Sequence, residues 1–94
     1  MDKETFRQNA KKSIDGIYDE LHRLQEKAKK AEGATKAMYE EKVAILKSKM
    51  KDLQPKYDAL GNATEETWES VKKTFSSALV SIKEGLNKIT SVFK

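Results

Sequence analysis

The chain has 94 residues, of which 37% are hydrophobic and 36% are charged, and this length fits a single domain over residues 1–94. The absence of cysteine excludes a disulfide framework and thiol chemistry. The formal net charge is +4, and the 19 basic and 15 acidic residues are interspersed, which excludes a long basic or acidic tail.

Apolar residues recur at spacings of three and four along almost the whole sequence, which is the period of an amphipathic helix. No segment alternates with the period of a strand, so we predict an all-α fold. The members of this apolar stripe are predicted to pack against another helix, in the same chain or in a partner. They are Ile14, Ile17, Leu21, Leu24, Val43, Leu46, Met50, Leu53, Trp68, Val71, Phe75, Leu79, Ile82, Leu86, Ile89 and Phe93.

The first helix is predicted to span about residues 4–60, with weak points at Gly33 and Pro55. Glycine costs about 1 kcal/mol in a helix relative to alanine, and proline removes a backbone hydrogen bond. However, the apolar stripe keeps nearly the same angular phase on both sides of Gly33. Glu32 and Lys36 also have the spacing of a favourable ion pair across it. These observations favour one continuous helix, and the alternative is a three-helix bundle folded at Gly33.

The second helix is predicted to span about residues 63–93, after a break at Gly61 and Asn62. Gly61 suits the left-handed position just beyond a helix end. Asn62 is predicted to cap the second helix with Glu65 three residues later, and Thr64 is the competing cap. The predicted architecture is therefore an antiparallel helical hairpin or coiled coil.

The two predicted helices differ in length, at about 85 Å and about 45 Å. A hairpin of this kind leaves the apolar ridge of residues 6–31 bare, which a soluble monomer does not tolerate. We therefore predict a homo-oligomer or a partner helix that covers Ile14, Ile17, Leu21 and Leu24.

Residues with catalytic or metal-binding potential do not occur in a pattern that supports such chemistry. His22 is the only histidine, and Glu26 lies one turn away, but no third ligand is indicated. Adjacent carboxylates such as Glu40 and Glu41 diverge by about 100° on a helix and do not converge on a substrate. A glycine-rich phosphate loop is also missing from the sequence. We therefore predict a non-enzymatic protein without a cofactor.

The distribution of basic residues argues against nucleic-acid binding. Lys47, Lys49 and Lys51 are spaced by two, which spreads them around a helix instead of along one phosphate-facing line. Arginine, which reads bases most often, occurs only at Arg7 and Arg23. The lysines are better interpreted as a solvated face.

The last helix supports an alternative function, which is binding to an anionic membrane surface through residues 63–93. Over residues 75–94, one side of this helix is apolar, and the other carries serine, asparagine, threonine and lysine, with Glu84 as the only acid. This pattern is typical of a helix that lies in a membrane interface. The same stripe is also what a partner helix requires, and we favour the protein partner.

The N-terminal sequence MDKETFRQNAKKSIDG is polar. It lacks the apolar segment of a secretory signal peptide, and no apolar run in the chain reaches transmembrane length. Together these features predict a cytoplasmic location.

Two stretches resemble a group of small bacterial proteins known only as coiled-coil domain-containing proteins of unknown function. The first is MYEEKVAILKSKMKDLQ at residues 38–54, and the second is ATEETWESVKKTFSSAL at residues 63–79. The resemblance covers roughly residues 20–94 and is sharpest in the acidic residues around Trp68. It implies a long Lys/Glu-rich helix followed by a Trp-bearing amphipathic helix, and it implies no established activity.

Overall fold

A computed structural model of the protein describes residues 2–92, and this part of the chain forms three helices. They are α1 (Lys3–Lys30), α2 (Gly33–Asn62) and α3 (Trp68–Val92). The described residues are 91% helical and contain no strand, which confirms the all-α prediction. Short connections make consecutive helices antiparallel, and both α1 and α3 pack on α2 in a rod of 51 × 18 × 17 Å.

The chain reverses direction between α1 and α2, so the predicted continuous helix over residues 4–60 is wrong. Ala31 and Glu32 are extended, with φ values of −81° and −128°, and Gly33 has a φ of +62°. Among the described residues Gly33 is the one with a positive φ, a conformation that glycine adopts without steric cost. Glu32 is the N-cap residue of α2 and therefore lies just outside the helix. The predicted pairing of Glu32 with Lys36 required both residues to lie within one continuous helix. The three-helix alternative is therefore the observed fold.

Folding back at Gly33 buries the ridge that a long helix would leave bare. Ile14, Ile17, Leu21 and Leu24 are between 1% and 7% exposed within a single chain. Each such side chain contributes about 1.5–3 kcal/mol when it leaves water. This burial outweighs the helix hydrogen bonds lost at the turn. The bare ridge, which motivated the prediction of self-association, is thus covered without a second copy.

The glycine at the end of α2 has a different role from the one predicted. Gly61 lies inside α2 and does not have a left-handed conformation. The Arg7 guanidinium of α1 packs directly over it, and a Cβ at Gly61 would lie 3.1 Å from Nη2 of Arg7. Gly61 therefore allows the start of α1 to approach the last turn of α2 closely.

The turn before α3 is held by two threonines. The Thr67 amide donates to Oγ1 of Thr64 at 3.3 Å, and the Thr64 amide donates to Oγ1 of Thr67 at 3.0 Å. The Trp68 amide then donates to the Thr64 carbonyl at 2.9 Å. The competing cap, Thr64, is thus confirmed, and the Asn62 cap is wrong because the Asn62 side chain donates back to the Asp58 carbonyl.

The other predicted weak point, Pro55, does not interrupt the structure. Helix α2 runs through Pro55 from Gly33 to Asn62. Proline cannot donate the hydrogen bond that the Lys51 carbonyl would accept. Core contacts on both sides, from buried Leu53 and half-buried Tyr57, hold the helix together there.

An aromatic cluster joins the three helices at the end of the rod where α1 begins. The Phe6 ring packs edge-on against Trp68, with ring centroids 5.6 Å apart, and against Phe75 at 6.2 Å. The Tyr57 ring lies 6.3 Å from that of Phe75. Since Phe6, Tyr57 and Phe75 come from α1, α2 and α3 respectively, this cluster fixes the relative register of the helices.

The start of α1 is capped by Asp2, whose Oδ1 accepts from the Thr5 amide at 2.7 Å. This hydrogen bond lowers the pKa of Asp2 below its ordinary value of 3.8, because it favours the ionised carboxylate. A lowered pKa in the folded state contributes stability above pH 3.8 that is lost as the pH falls through the lowered value.

We therefore expect α1 to fray from its N-terminus in this acidic window. An NMR titration of the Asp2 carboxyl carbon, followed together with the Thr5 amide, measures both the pKa and the loss of the cap. Asp2→Asn is the control, because asparagine caps a helix equally well and does not titrate. A Thr5 amide that responds equally in both proteins would contradict the assignment to Asp2.

Candidate functional site

Most of the predicted helix-packing residues lie together in one core formed by all three helices. The buried members are Ile14, Ile17, Leu21, Leu24, Val43, Leu46, Met50, Leu53, Trp68, Phe75, Ile82, Leu86 and Ile89. Val71 and Leu79 are partly buried against this core, and Phe93 lies outside the described residues. These side chains pack against each other within one chain, so a surface for a partner has to be sought elsewhere.

The exposed apolar side chains of α2 mark such a surface. Met38 and Ile45 are both 44% exposed, and both line the groove between α2 and α3. They stand two helical turns apart, on the side of α2 that faces α3. Neither belongs to the apolar stripe that faces the core. They are therefore available to a partner without any rearrangement of the bundle.

This α2–α3 groove extends along much of the rod. The upper part of the groove lies beside the first half of α2, near Met38, and has a volume of about 480 Å³. The lower part lies closer to the aromatic cluster and has a volume of about 200 Å³. The two parts share Lys49. The upper part is lined by Met38, Lys42, Ile45, Leu46, Lys49, Gly85, Lys88 and Ile89, and the lower part by Lys49, Asp52, Leu53, Lys56, Ala78, Ser81 and Ile82.

Gly85 sets the depth of the groove on the α3 side. A Cβ at this position would lie 3.4 Å from Cδ2 of Leu46, which is ordinary van der Waals contact. The missing side chain lowers the α3 wall at this level. The buried side chains of Leu46 and Ile89 thus form an apolar floor that lies between the exposed Met38 and Ile45 on one wall and Lys88 on the other.

The charged residues of the groove are strongly unbalanced in sign. Lys42, Lys49, Lys56 and Lys88 line it, and Asp52 is the acidic residue among those that do. The ion pairs between described residues involve none of these lysines. They are Arg7–Glu4, Arg23–Glu20, Lys29–Glu26 and Lys72–Glu69, each within one helix. Lys56 donates to the backbone carbonyl of Asp52 at 3.4 Å, which leaves its charge without an ionic partner among the described side chains. The groove therefore presents positive charge that ion pairs between described residues do not neutralise.

The groove between α1 and α2 is different in composition. Its charged lining residues are Glu26, Lys29, Glu40 and Lys47, together with His22, and Glu26 pairs with Lys29 at 3.3 Å. Ala44 lies on the side of α2 that faces α1, in the place that Ile45 takes on the side that faces α3. This α1–α2 groove thus has balanced charge and a smaller apolar surface, and it serves as an internal comparison.

His22 and Glu26, the pair considered for a metal, lie at the rim of the α1–α2 groove. Over residues 2–92, histidine and carboxylate side chains do not assemble into a group of three that could hold a metal ion. No helix in the same span combines the length and the hydropathy needed to cross a lipid bilayer.

Comparison with protein-family models, with curated proteins and with solved structures gave no match for this chain. The surface of the bundle itself therefore has to indicate the function.

Sequence reasoning missed the part of this site that depends on side-chain exposure. The apolar stripe predicted from the sequence includes neither Met38 nor Ile45. A signal was present in the sequence, since Lys42, Lys49 and Lys56 recur every seven residues beside the stripe. Which flank of α2 stays open depends on where α1 and α3 pack, and this is a property of the tertiary structure.

Proposed function

We propose that this chain is a non-enzymatic helical interaction protein that binds a partner helix on its outer surface. The observation that carries the proposal is the α2–α3 groove, where Met38 and Ile45 stay 44% exposed although the core is closed. A helix that laid an apolar stripe against them would extend the bundle by the same packing that holds it together.

The structure changes which residues support this proposal. The sequence placed the partner on Ile14, Ile17, Leu21 and Leu24, and these side chains are covered by the chain itself. A partner that used them would have to open the bundle first. Binding on the outer groove requires no such cost, so we propose the groove in place of the α1 ridge.

The alternative function is binding to an anionic membrane surface through α3. This helix carries a strong apolar stripe, with Phe75, Ile82 and Leu86 among its members. All three are at most 8% exposed in the bundle. A membrane would therefore have to separate α3 from α2 before these side chains could enter lipid.

Titration with anionic phospholipid vesicles distinguishes the two functions through Trp68. This side chain is 8% exposed and packs against Phe6, with Nζ of Lys3 5.7 Å from its ring centroid. If the partner is a helix, the Trp68 emission maximum and the helicity stay constant as vesicles are added. If α3 moves into lipid, the emission maximum of Trp68 shifts as the aromatic cluster opens.

Two adjacent substitutions make this test specific. Leu79 is half-buried on the apolar stripe of α3, and Val80 is 53% exposed beside it. Vesicle binding that Leu79→Glu abolishes and Val80→Glu leaves unchanged, in variants that remain folded, would overturn the partner-helix function and establish the membrane function.

A further inference from the structure

We infer that the α2–α3 groove binds an amphipathic helix whose apolar stripe is flanked by acidic residues at heptad spacing. This inference rests on the proposed function and adds the site and the chemistry of the partner. The occupant would lie along the groove as a fourth helix, with its apolar stripe on Met38 and Ile45 and its acidic flank toward the lysines.

The spacing of the lysines on α2 points to a helical partner. Lys42, Lys49 and Lys56 are separated by seven residues each, which places them in one line at intervals of about 10.5 Å along the helix. They stand immediately beside the core stripe, at the position that selects partners in coiled coils by charge. A helix with the same heptad repeat presents acidic side chains at the same interval, so all three lysines find partners at once.

The shape of the groove points the same way. The lining residues of α2 run from Met38 to Lys56, a distance of about 27 Å. Met38 and Ile45 are also separated by seven residues, so the apolar contacts repeat in step with Lys42 and Lys49. A partner helix of about three heptads that keeps one apolar stripe thus matches both sets of residues over the same length.

The charge of the chain favours a partner other than a second copy. The net charge of +4 disfavours association with itself at a basic surface. The ion pairs on α1 show acids and bases mixed along the outer face, as in Glu20–Arg23 and Glu26–Lys29. Such a face offers no continuous acidic flank to the groove.

A single lipid or phosphate ligand fits the groove less well than a helix does. Each carries one anionic centre or a small cluster, which neutralises one of the lysines spaced by about 10.5 Å and leaves the others unpaired. A line of acidic side chains neutralises all of them. We therefore commit to an acidic helix, with lipid as an outcome of the test.

The experiment measures the anisotropy of a labelled three-heptad peptide as the full chain is added. In the Glu peptide, leucine occupies the core positions and glutamate the flanking positions, and in the Lys peptide lysine replaces every glutamate. We expect the Glu peptide to bind and the Lys peptide not to bind. We also expect the affinity for the Glu peptide to fall as salt is added, because Lys42 and Lys49 are exposed to solvent.

A pair of charge reversals on α2 locates the site. Lys49 lines both parts of the α2–α3 groove, and Lys47, two residues away on the same helix, lines the α1–α2 groove. Lys49→Glu should weaken binding of the Glu peptide by about five- to tenfold, and Lys47→Glu by less than about twofold. Both variants carry the same net charge, so a difference between them reports on the groove alone. The Lys49→Glu variant should also gain affinity for the Lys peptide.

Three results would contradict the binding of an acidic helix in the α2–α3 groove, and they differ in whether the proposed partner-helix function survives. Equal weakening by Lys49→Glu and Lys47→Glu would overturn the groove and leave the partner-helix function standing. Binding of anionic vesicles that Lys49→Glu abolishes, with no binding of the Glu peptide, would overturn both and assign the groove to lipid. A dimer without peptide that Lys49→Glu dissociates, seen by analytical ultracentrifugation, would make a second copy the occupant and overturn the acidic partner.

Discussion

Phe75→Ala is expected to lower the free energy of unfolding by about 3–5 kcal/mol, which is a large part of the stability of a domain of this size. Phe75 is 1% exposed, and its ring contacts Phe6 of α1 and Tyr57 of α2. Truncation leaves a cavity at a position where an aromatic side chain of α3 touches both other helices. Urea denaturation followed by circular dichroism measures the loss.

Two controls on the same helix test this explanation. Val80→Ala removes a side chain that is 53% exposed, and we expect a change within about 0.5 kcal/mol. Phe75→Leu keeps most of the apolar volume and loses the ring contacts with Phe6 and Tyr57, so its loss should be intermediate. A Phe75→Ala variant as stable as Val80→Ala would mean that the aromatic cluster does not hold the helices in register.

Gly33→Ala and Gly16→Ala are expected to change stability in opposite directions. Gly33 has a φ of +62°, and alanine in this conformation costs about 1–2 kcal/mol. Gly16 lies inside α1, and a Cβ added there would have no neighbouring atom within 4 Å beyond its own stretch of helix. Alanine at Gly16 should therefore raise stability by about 0.5–1 kcal/mol. Denaturant midpoints of the two variants give both signs.

The Gly33→Ala substitution should also change the shape of the protein. Alanine favours the straight helix through residues 31–33 that the sequence predicted, and this helix exposes Ile14, Ile17 and Leu21. Two copies can then exchange their first helices, as shortened or strained hinges permit. Analytical ultracentrifugation should show a larger dimer fraction for Gly33→Ala than for Gly16→Ala. A monomer of unchanged stability would contradict the role assigned to Gly33.

The sequence predicted the helices well because their pattern is local. The apolar stripe places Leu21, Leu46 and Ile82 on core-facing sides, and all three are buried. The turn at Gly33 could not be predicted in the same way. The apolar stripe has the same phase before and after Gly33 although the chain folds back there, so the phase does not indicate whether the helix continues. The reversal of the chain is determined by long-range burial of α1 against α2. The free energy of this burial outweighs the local preference for a continuous helix that the stripe phase and the Glu32–Lys36 spacing indicate.

The groove shows a similar division between local and long-range information. The lysines at positions 42, 49 and 56 can be read from the sequence, but their meaning depends on which flank of α2 remains open. Sequence reasoning grouped Lys49 with Lys47 and Lys51 as a solvated face, whereas the structure places Lys47 and Lys49 in different grooves. The exposure of Ile45 likewise follows from the position of α3 and has no local signature.

The central position of α2 has a consequence for how the chain folds. Each neighbour of α2 in space is also its neighbour in sequence, since α1 and α3 both pack along it. Such contacts close short loops, and helical proteins with this arrangement fold within microseconds to milliseconds. During synthesis the α1–α2 hairpin can form before α3 emerges, and until then the side of α2 that later forms the floor of the α2–α3 groove is uncovered. In this order of folding, α3 packs onto a side of α2 that is already formed and uncovered in the α1–α2 hairpin. The bundle thus grows by adding one helix at a time to an exposed side of α2.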